Sequence, residues 1–208
     1  MDSFLSWKRS LNGANLYNTL NKDPFGDGFA VKTWTPVPQS QFGEIYLRGT
    51  GMRSLQGNLN WDLPETDRGA VTFEVANAPD QLMIDLGGYR SDLLYYTIVI
   101  GRGPYAGVLR KQLQGSMMSY QEYNYLPLSG VHYDSSFYLD DAPVTLWMVY
   151  DYGHIEVGVG SSPESGRVIL RAYDSQAAPG LQLVQFGTWR NSDDRVSSVR
   201  NVQMWRKN

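Results

Sequence analysis

The two histidines are the side chains with the most obvious chemical potential. His132 and His154 both fall in strand-like stretches, and no serine or carboxylate motif of a nucleophilic enzyme surrounds either one. Their separation along the chain matches no zinc-binding signature. The chain has no cysteine, so zinc ribbons, Fe–S clusters, disulfide scaffolds and cysteine nucleophiles are excluded together. We interpret both histidines as partly exposed strand residues and predict no catalytic residue and no metal site.

Two pairs of acidic residues offer the oxygen atoms that calcium prefers. Asp23 and Asp27 flank a Pro-Phe-Gly turn, and Asp140 is followed directly by Asp141. Neither pair has the spacing of a known calcium-binding loop, and the preference of aspartate for turns explains both pairs. We therefore predict that no cofactor is required, with calcium as the alternative.

Aromatic side chains are the most informative excess, with 6 Trp, 14 Tyr and 7 Phe in 208 residues. Several tyrosines crowd into residues 116–141, where turn residues separate them. Tyr and Trp rings stack on the apolar faces of sugars while their polar tips remain hydrated. With Arg, Asn and Asp side chains as hydrogen-bonding partners, such rings would form a glycan site. The alternative is that the Tyr-rich segment 116–141 forms a protein–protein interface in a symmetric homo-oligomer.

The arginines narrow the position of the candidate site. Arg102 and Arg110 flank a loop, and loops on a rigid scaffold usually set binding specificity. The predicted partner is a glycan or another small ligand. The residues predicted to bind it are Arg102, Tyr105, Arg110, Tyr123, Tyr125, Trp189, Arg190 and Asp193.

Short strands must position these residues. The 21 Gly and 10 Pro are spread along the chain and leave little room for helices of ordinary length. Runs of β-branched and aromatic residues lie between them, and several alternate with a period of two. About a dozen such runs predict an all-β fold, an antiparallel β-sandwich that is jelly-roll-like. Phe73, Trp147 and Phe186 are predicted core residues, one strand is predicted over 132–139, and the one plausible helix lies at 3–11.

The composition shifts near residue 68, from a stretch rich in Asn, Gly and Pro to cleaner strand patterns. A separate domain of 1–67 would bury too small a fraction of its surface to be stable alone. We therefore predict that residues 1–67 contribute N-terminal strands or a wrap to the same sandwich. Residues 68–208 are predicted to form the main β-sandwich domain.

Charge and hydropathy limit the possible partners. The 18 basic and 21 acidic residues leave a net charge of −3, which argues against nucleic acid as a partner. No apolar run is long enough for a membrane span. The first residues lack the apolar region of a signal peptide. The sequence as written is therefore expected to be cytoplasmic, with secretion of a mature chain as the alternative.

Several stretches, in order, resemble the farnesoic acid O-methyltransferase-like domain family. They are VTFEVANAPD at 71–80 with YTIVIG at 96–101, GVLRK at 107–111, LWMVYDYGHIEVGVG at 146–160, YD at 173–174 and VQFGTW at 184–189. The resemblance covers about residues 70–190 and implies the β-sandwich domain of that family. The loop at 102–106 and the Tyr-rich segment depart from the family pattern, so no ligand preference is carried over.

The family name implies methyl transfer, and the residues of this chain argue against it. A typical methyltransferase binds S-adenosylmethionine where a strand and a Gly-rich turn lead into a helix N-terminus. The Gly-rich stretches at 101–103 and 158–160 each lead into another strand pattern. We predict a non-enzymatic, lectin-like module that binds carbohydrate. A structural or self-assembly module and a small-molecule O-methyltransferase are the alternatives.

Overall fold

The computed structural model describes residues 34–38, 44–47, 61–88, 94–103, 106–112, 124–177, 180–190 and 195–208. These residues form strands, turns and loops in two antiparallel sheets, so the predicted all-β sandwich is confirmed. The helix predicted at 3–11 lies outside the described residues. Within the described part of the chain, no helix has the length and apolar character of a membrane span.

Fourteen strands are described. They are β1 (Trp34–Pro36), β2 (Ile45–Leu47), β3 (Trp61–Asp62), β4 (Arg68–Ala76), β5 (Gln81–Gly87), β6 (Leu94–Gly101), β7 (Ala106–Gln112), β8 (Asn124–Pro127), β9 (His132–Tyr133), β10 (Val144–Asp151), β11 (His154–Val159), β12 (Arg167–Tyr173), β13 (Leu183–Arg190) and β14 (Ser197–Lys207).

The strands are divided between an eight-stranded and a six-stranded sheet. The eight-stranded sheet has the order β1-β14-β4-β10-β11-β12-β9, and β2 also pairs with β14. The six-stranded sheet has the order β3-β13-β5-β6-β7-β8. The chain crosses between the sheets several times, as a jelly roll requires. As a result, β4 and β14, which are far apart in sequence, become neighbours.

The main core lies between the two sheets. Phe73 of β4 and Phe186 of β13 face each other with ring centroids 4.6 Å apart. Trp61 of β3 meets the same Phe186 ring edge-on at 5.3 Å. Because side chains alternate along a strand, every second residue of β4, β10 and β13 points into this core. The predictions for Phe73 and Phe186 are therefore confirmed.

A second, smaller cluster lies on the other side of the eight-stranded sheet. Trp147 is fully buried, but it packs with Trp34, Ala70 and Val149 on the face away from the main core. Its indole Nε1 donates to the carbonyl oxygen of Ser165, 2.6 Å away. The prediction that Trp147 is buried is confirmed, but this side chain belongs to the second cluster because odd-numbered residues of β10 face outward.

Gly158 makes room for that indole ring. It pairs in register with Trp147. A Cβ atom at Gly158 would lie 2.2 Å from the Trp147 ring and 2.7 Å from the carbonyl oxygen of Arg167. The glycine that the sequence places in this strand therefore has a packing role on the outer face.

The predicted strand at 132–139 is shorter in the structure. Only His132 and Tyr133 pair with β12. The Asp134 carboxylate then accepts hydrogen bonds from the backbone N–H and the hydroxyl of Ser136. Such an aspartate-centred turn competes with strand pairing, so the chain leaves the sheet at this point.

The chain divides into two compact units, Trp34–Lys207 and Met1–Thr33 with Asn208. Of the second unit, only Asn208 lies among the described residues. Upstream of residue 68, β1 and β2 pair with β14, and β3 pairs with β13. Both sheets therefore include strands from the region that precedes the composition shift.

Candidate functional site

Arg102, one of the predicted ligand-binding residues, lies where loops meet at one end of the sandwich. It follows β6, and its backbone N–H donates to the carbonyl oxygen of Asp80 in the β4–β5 turn. The loop between β9 and β10 joins the same place, because Leu139 N–H donates to Gly101 O at 3.1 Å. Arg102 is thus held among three connections of the sandwich.

The Arg102 guanidinium is engaged by its neighbours. It donates to both oxygens of the Asp141 carboxylate, at 2.6 and 3.2 Å, and to the carbonyl oxygen of Ala78 at 3.2 Å. Arg195 donates to the same carboxylate and the same carbonyl oxygen. We call Ala78, Arg102, Tyr138, Asp141 and Arg195 the loop cluster. Tyr138 belongs to this group by its position in the chain, next to Leu139, and its ring is 56% exposed.

Of the other predicted residues, four belong to strands of the six-stranded sheet. Tyr105, Tyr123 and Asp193 lie outside the described residues. Trp189 and Arg190 end β13, where Arg190 pairs with Gln81, which also pairs with Gly101. This places their backbone at the same end of the sheet as Arg102.

Arg110 and Tyr125 lie toward the other end of that sheet. Arg110 pairs with Tyr96 and with Leu126, and Tyr125 pairs with Lys111. Tyr96 and Gly101 are near opposite ends of β6, so their backbones are roughly 17 Å apart along the strand. Those predicted residues that the structure describes thus form two groups along the six-stranded sheet, and their role in binding stays a prediction.

The outward face of the six-stranded sheet is closed at its centre. Met83 pairs with Val99 and Asp85 pairs with Thr97, and all four residues are buried. The Thr97 hydroxyl donates to the Asp85 carboxylate. The centre of this face therefore presents no exposed side chain from β5 or β6 to a ligand.

The outward face of the eight-stranded sheet is different. Along β11 and β12, Ile155, Val157 and Ala172 point into the main core. The residues between them therefore point outward. Of the outward residues, His154 is in register with Tyr173, and Glu156 is in register with Arg171. Exposed polar and aromatic groups are thereby placed side by side on adjacent strands.

His154 and Tyr173 form a stacked pair. Their ring centroids are 4.4 Å apart with an angle of 32° between the planes. Both residues are exposed, and Tyr173 is 54% accessible. The two rings thus present an aromatic surface to solvent on the outer side of the sheet.

Glu156 and Arg171 form an ion pair beside those rings. Arg171 Nε donates to Glu156 Oε1 at 2.9 Å. Burial raises the pKa of Glu156, and the charge and hydrogen bond of Arg171 oppose that effect. On the far side of Arg171, His132 of β9 is in register with it and exposed. The ion pair thus places a carboxylate and a guanidinium next to the His154–Tyr173 rings, with His132 on the other side of Arg171.

Tyr152 extends this surface at the β10–β11 turn. Tyr152 and Gly153 have φ values of 45° and 91°, as in the two-residue turns that connect antiparallel strands. A Cβ atom at Gly153 would lie 2.4 Å from the carbonyl oxygen of Asp174, so glycine is required there. The exposed Tyr152 ring lies 4.9 Å from the Arg68 guanidinium carbon. We call His132, Tyr152, His154, Glu156, Arg171 and Tyr173 the sheet-face patch.

Three charged residues adjoin the patch. Asp151 accepts a hydrogen bond from Arg68 Nε at 3.0 Å and another from Lys207 Nζ. Burial alone would raise the pKa of Asp151, but the hydrogen bonds and charges of Lys207 and Arg68 outweigh it and lower that pKa. We call Arg68, Asp151 and Lys207 the ionic triad. It holds an ionised carboxylate between two cations.

Metal chemistry has no support from these groups. Across the described ranges, no three His, Asp or Glu side chains are grouped as they would be around a metal ion. The carboxylates of the two surfaces are instead paired with arginine or lysine. Both arrangements suit hydrogen bonding to a ligand.

None of the residues of the sheet-face patch was predicted from the sequence to bind a ligand. The alternating pattern at 154–159 marks every second residue of β11 as outward. Glu156 of β11 and Arg171 of β12 can form a cross-strand pair only if the two strands pair in the observed register. That register includes an irregularity between Val157 and Gly158, which no feature of the sequence fixes.

Comparison with known proteins finds solved structures that are similar to this chain but no matching protein family. No family model matches the chain, and no curated protein matches it. A double mutant of human galectin-16 is 12% identical, with 76% of this chain and 100% of the galectin covered and a TM-score of 0.46. Sheep galectin-11 is 13% identical, with 73% and 99% covered and a TM-score of 0.42.

A carbohydrate-binding module from Bacillus subtilis is 10% identical, with 83% of this chain and 94% of that module covered and a TM-score of 0.46. Likenesses at such TM-scores and identities carry no functional conclusion. The strand order and register define the fold of this chain.

Proposed function

We propose that this protein is a lectin-like module that binds carbohydrate without catalysis, and that the sheet-face patch is its binding surface. The observation that carries the proposal is the exposed, stacked His154–Tyr173 pair next to the Glu156–Arg171 ion pair. Aromatic rings offer a surface for the apolar face of a sugar ring. A fixed carboxylate and guanidinium offer acceptors and donors for its hydroxyl groups.

The charge balance favours a neutral polyol. In the patch, Arg171 is paired with Glu156, and in the triad Asp151 is shared by Arg68 and Lys207. Arg68 also lies 3.9 Å from the Glu65 carboxylate. The cations are thus matched by carboxylates, so a strongly charged ligand would meet as much repulsion as attraction.

The same pairing supports binding without catalysis. Glycoside hydrolysis generally needs one carboxyl group that donates a proton and a second that acts as base or nucleophile. Glu156 and Asp151 each accept hydrogen bonds from a basic side chain. Such carboxylates are suited to orient hydroxyl groups.

The loop residues remain a second location for the same function. Arg102, Trp189 and Arg190 lie at one end of the six-stranded sheet. The loop that contains the exposed Tyr138 reaches the same end, because Leu139 N–H donates to Gly101 O. Self-association through residues 116–141 also stays a prediction. Within that segment, the Tyr133 hydroxyl donates to the carbonyl oxygen of Phe137, and the Tyr138 ring is exposed.

Membership in the farnesoic acid O-methyltransferase-like family is part of the proposal. The stretches that carry the resemblance fall on β4, β6, β7, β10, β11 and β13 in chain order, and one begins at the last residue of β12. This distribution over strands of both sheets supports the proposal. The methyltransferase reading has the least support, because the Gly-rich stretch at 158–160 lies in and after β11, where Gly158 accommodates Trp147.

A glycan array tests the function. The labelled protein is applied with and without calcium, together with Tyr173→Ala and Tyr138→Ala. These two tyrosines are a matched pair, since they are 54% and 56% exposed and lie in the two competing regions. We expect binding to a sugar family, about tenfold weaker for Tyr173→Ala and unchanged for Tyr138→Ala.

The other outcomes are informative. Loss of binding in Tyr138→Ala alone would move the site to the loop cluster. A blank array with folded wild-type protein would overturn carbohydrate binding, and light scattering would then test the interface alternative. Calorimetry with S-adenosylmethionine completes the set, because a response there would restore the methyltransferase alternative.

A further inference from the structure

We propose that the sheet-face patch and the ionic triad bind a linear run of several sugar units lying across the strands. A single terminal sugar would be too small to use both ends of this surface. The inference rests on the proposed function, since it names the class of carbohydrate that this surface would hold. It follows from how the outward residues are aligned.

The alignment is set by the register of four neighbouring strands. Arg68 of β4 is paired with Asp151 of β10, Asp151 with His154 of β11, and His154 with Tyr173 of β12. Adjacent strands are about 4.8 Å apart, so this row is roughly 14 Å long. A length of that order accommodates several sugar rings in sequence.

Exposed rings stand at both ends of the row. At the β12 end, Tyr173 stacks with His154. At the β4 end, the Tyr152 ring rests beside the Arg68 guanidinium. Between them, Asp151 supplies a carboxylate that two cations keep ionised. Two stacking surfaces with a polar group between them match the repeating apolar faces and hydroxyl edges of a chain.

A second row runs parallel to the first. Glu156, Arg171 and His132 are in register on β11, β12 and β9. Glu156 and Arg171 are two residues along their strands from the first row, which is about 7 Å. Hydroxyl groups on one side of a bound chain would therefore meet donors and acceptors beside the aromatic rings.

The row is open at the edge of the sheet. The short strand β9 pairs with Leu170 and Arg171 of β12. In the described part of the chain, no strand pairs with Tyr173 on that side. A sugar chain lying on Tyr173 can thus continue past the edge, which a site for a terminal sugar would prevent with a wall.

Titrations with oligosaccharides of increasing length test this inference. The probes are cello-, laminari-, chito- and fructo-oligosaccharides of one to six units, added to the full chain in a calorimeter. We expect affinity for one series to rise by about tenfold or more between two and four units. Affinity that is already constant from one or two units would overturn the inference and leave the proposed function intact.

Variants at the two ends of the row give a second readout. Tyr152→Asn removes the ring and suits the positive φ at this position, because Asn tolerates the left-handed conformation. We expect it to weaken binding of four-unit and six-unit probes by about three- to tenfold and to leave two-unit probes unchanged. Tyr173→Ala should weaken all lengths, and Tyr138→Ala should weaken none.

Each remaining result also decides the matter. Equal loss at all lengths in Tyr152→Asn, or no loss at any length, would overturn the assignment of the row. Binding of branched or terminal glycans on the array with no response to any linear series would overturn it as well. Failure of every glycan to bind would instead overturn the proposed function, so the two failures can be distinguished. Thermal unfolding confirms that each variant is folded.

Discussion

The sheet-face patch and the loop cluster contain similar side chains in different settings. Each has an exposed tyrosine and an arginine paired with a carboxylate. In the patch, every residue except Tyr152 sits on a strand whose neighbours fix its position, and Tyr152 lies in the β10–β11 turn. In the loop cluster, Arg102 and Arg195 converge on Asp141 and on the carbonyl oxygen of Ala78. The hydrogen bonds of these two arginines therefore connect separate loops.

The difference shows that similar side chains can have different kinds of partner. A guanidinium that satisfies a backbone carbonyl and a carboxylate from another loop stabilises the end of the sandwich. The Arg171 guanidinium pairs instead with Glu156 on the neighbouring strand of the same sheet face. Composition therefore does not reveal which partners an arginine has, and the tertiary structure does.

The largest effect is expected in the second cluster, which shares the outward face of the eight-stranded sheet with the patch. Trp147→Ala should lower the free energy of unfolding by about 3–5 kcal/mol, because the fully buried indole supports the outer face and leaves a cavity. Tyr138→Ala at the loop end should change it by less than about 0.5 kcal/mol, since this ring is exposed. Urea denaturation measures both. A loss below about 1 kcal/mol for Trp147→Ala would contradict the role of this cluster.

A smaller effect separates the two arginines. Arg171→Met should lower the free energy of unfolding by about 1–3 kcal/mol, because Glu156 is only 20% exposed and would lose its charged partner. Arg102→Met should cost less than about 1 kcal/mol, because Asp141 is 60% exposed and keeps Arg195. Both variants retain an apolar stem of similar length.

If urea denaturation gives the same loss of unfolding free energy for both variants, the ion pairs of the patch and of the loop cluster do not differ in their contribution to stability. A larger loss for Arg102→Met would reverse the expected order and identify the loop ion pairs as the stronger structural element.

The smallest effect concerns the acid dependence of the ionic triad. The folded state lowers the pKa of Asp151 from 3.8, so ionisation of this group contributes stability above pH 3.8 that is lost as the pH falls through the lowered value. Asp151→Asn should therefore cost roughly 1 kcal/mol at pH 6 and progressively less below pH 3.8. Unfolding free energies of both proteins between pH 2.5 and 6 provide the comparison.

A difference between the two proteins that stays constant over this range would show that the carboxylate and its cations do not stabilise the fold. Other acidic groups, including Asp134 with its lowered pKa, affect both proteins equally. The comparison therefore isolates Asp151.

Much of the fold was predictable because the apolar pattern has a period of two. The residues of β4 and β11 alternate in the sequence, and the core takes the predicted side of each strand. The end of β9 was not predictable, because the turn at Asp134 depends on local hydrogen bonds that compete with strand pairing. Trp147 looked like a core residue, and its assignment to the outer cluster required knowledge of which face of β10 is inward.

The candidate site was less predictable than the fold. From the sequence, loop aromatics and arginines were predicted to bind the ligand. Two of these arginines, Arg110 and Arg190, lie at separate places along the six-stranded sheet. The outward residues of β11 and β12 give no signal individually. Their proximity depends on a register that contains an irregularity and on a hairpin turn at Tyr152 and Gly153.

The sequence alone determined the all-β class, because alternation and closely spaced turn residues leave few other folds. It also determined which side chains were available, including two histidines and no cysteine. The tertiary structure decided which of them meet. Pairing of β11 with β12 brought His154 to Tyr173 and Glu156 to Arg171, while pairing of β4 with β10 brought Arg68 to Asp151. These contacts join distant segments, and only long-range packing of the strands can select them.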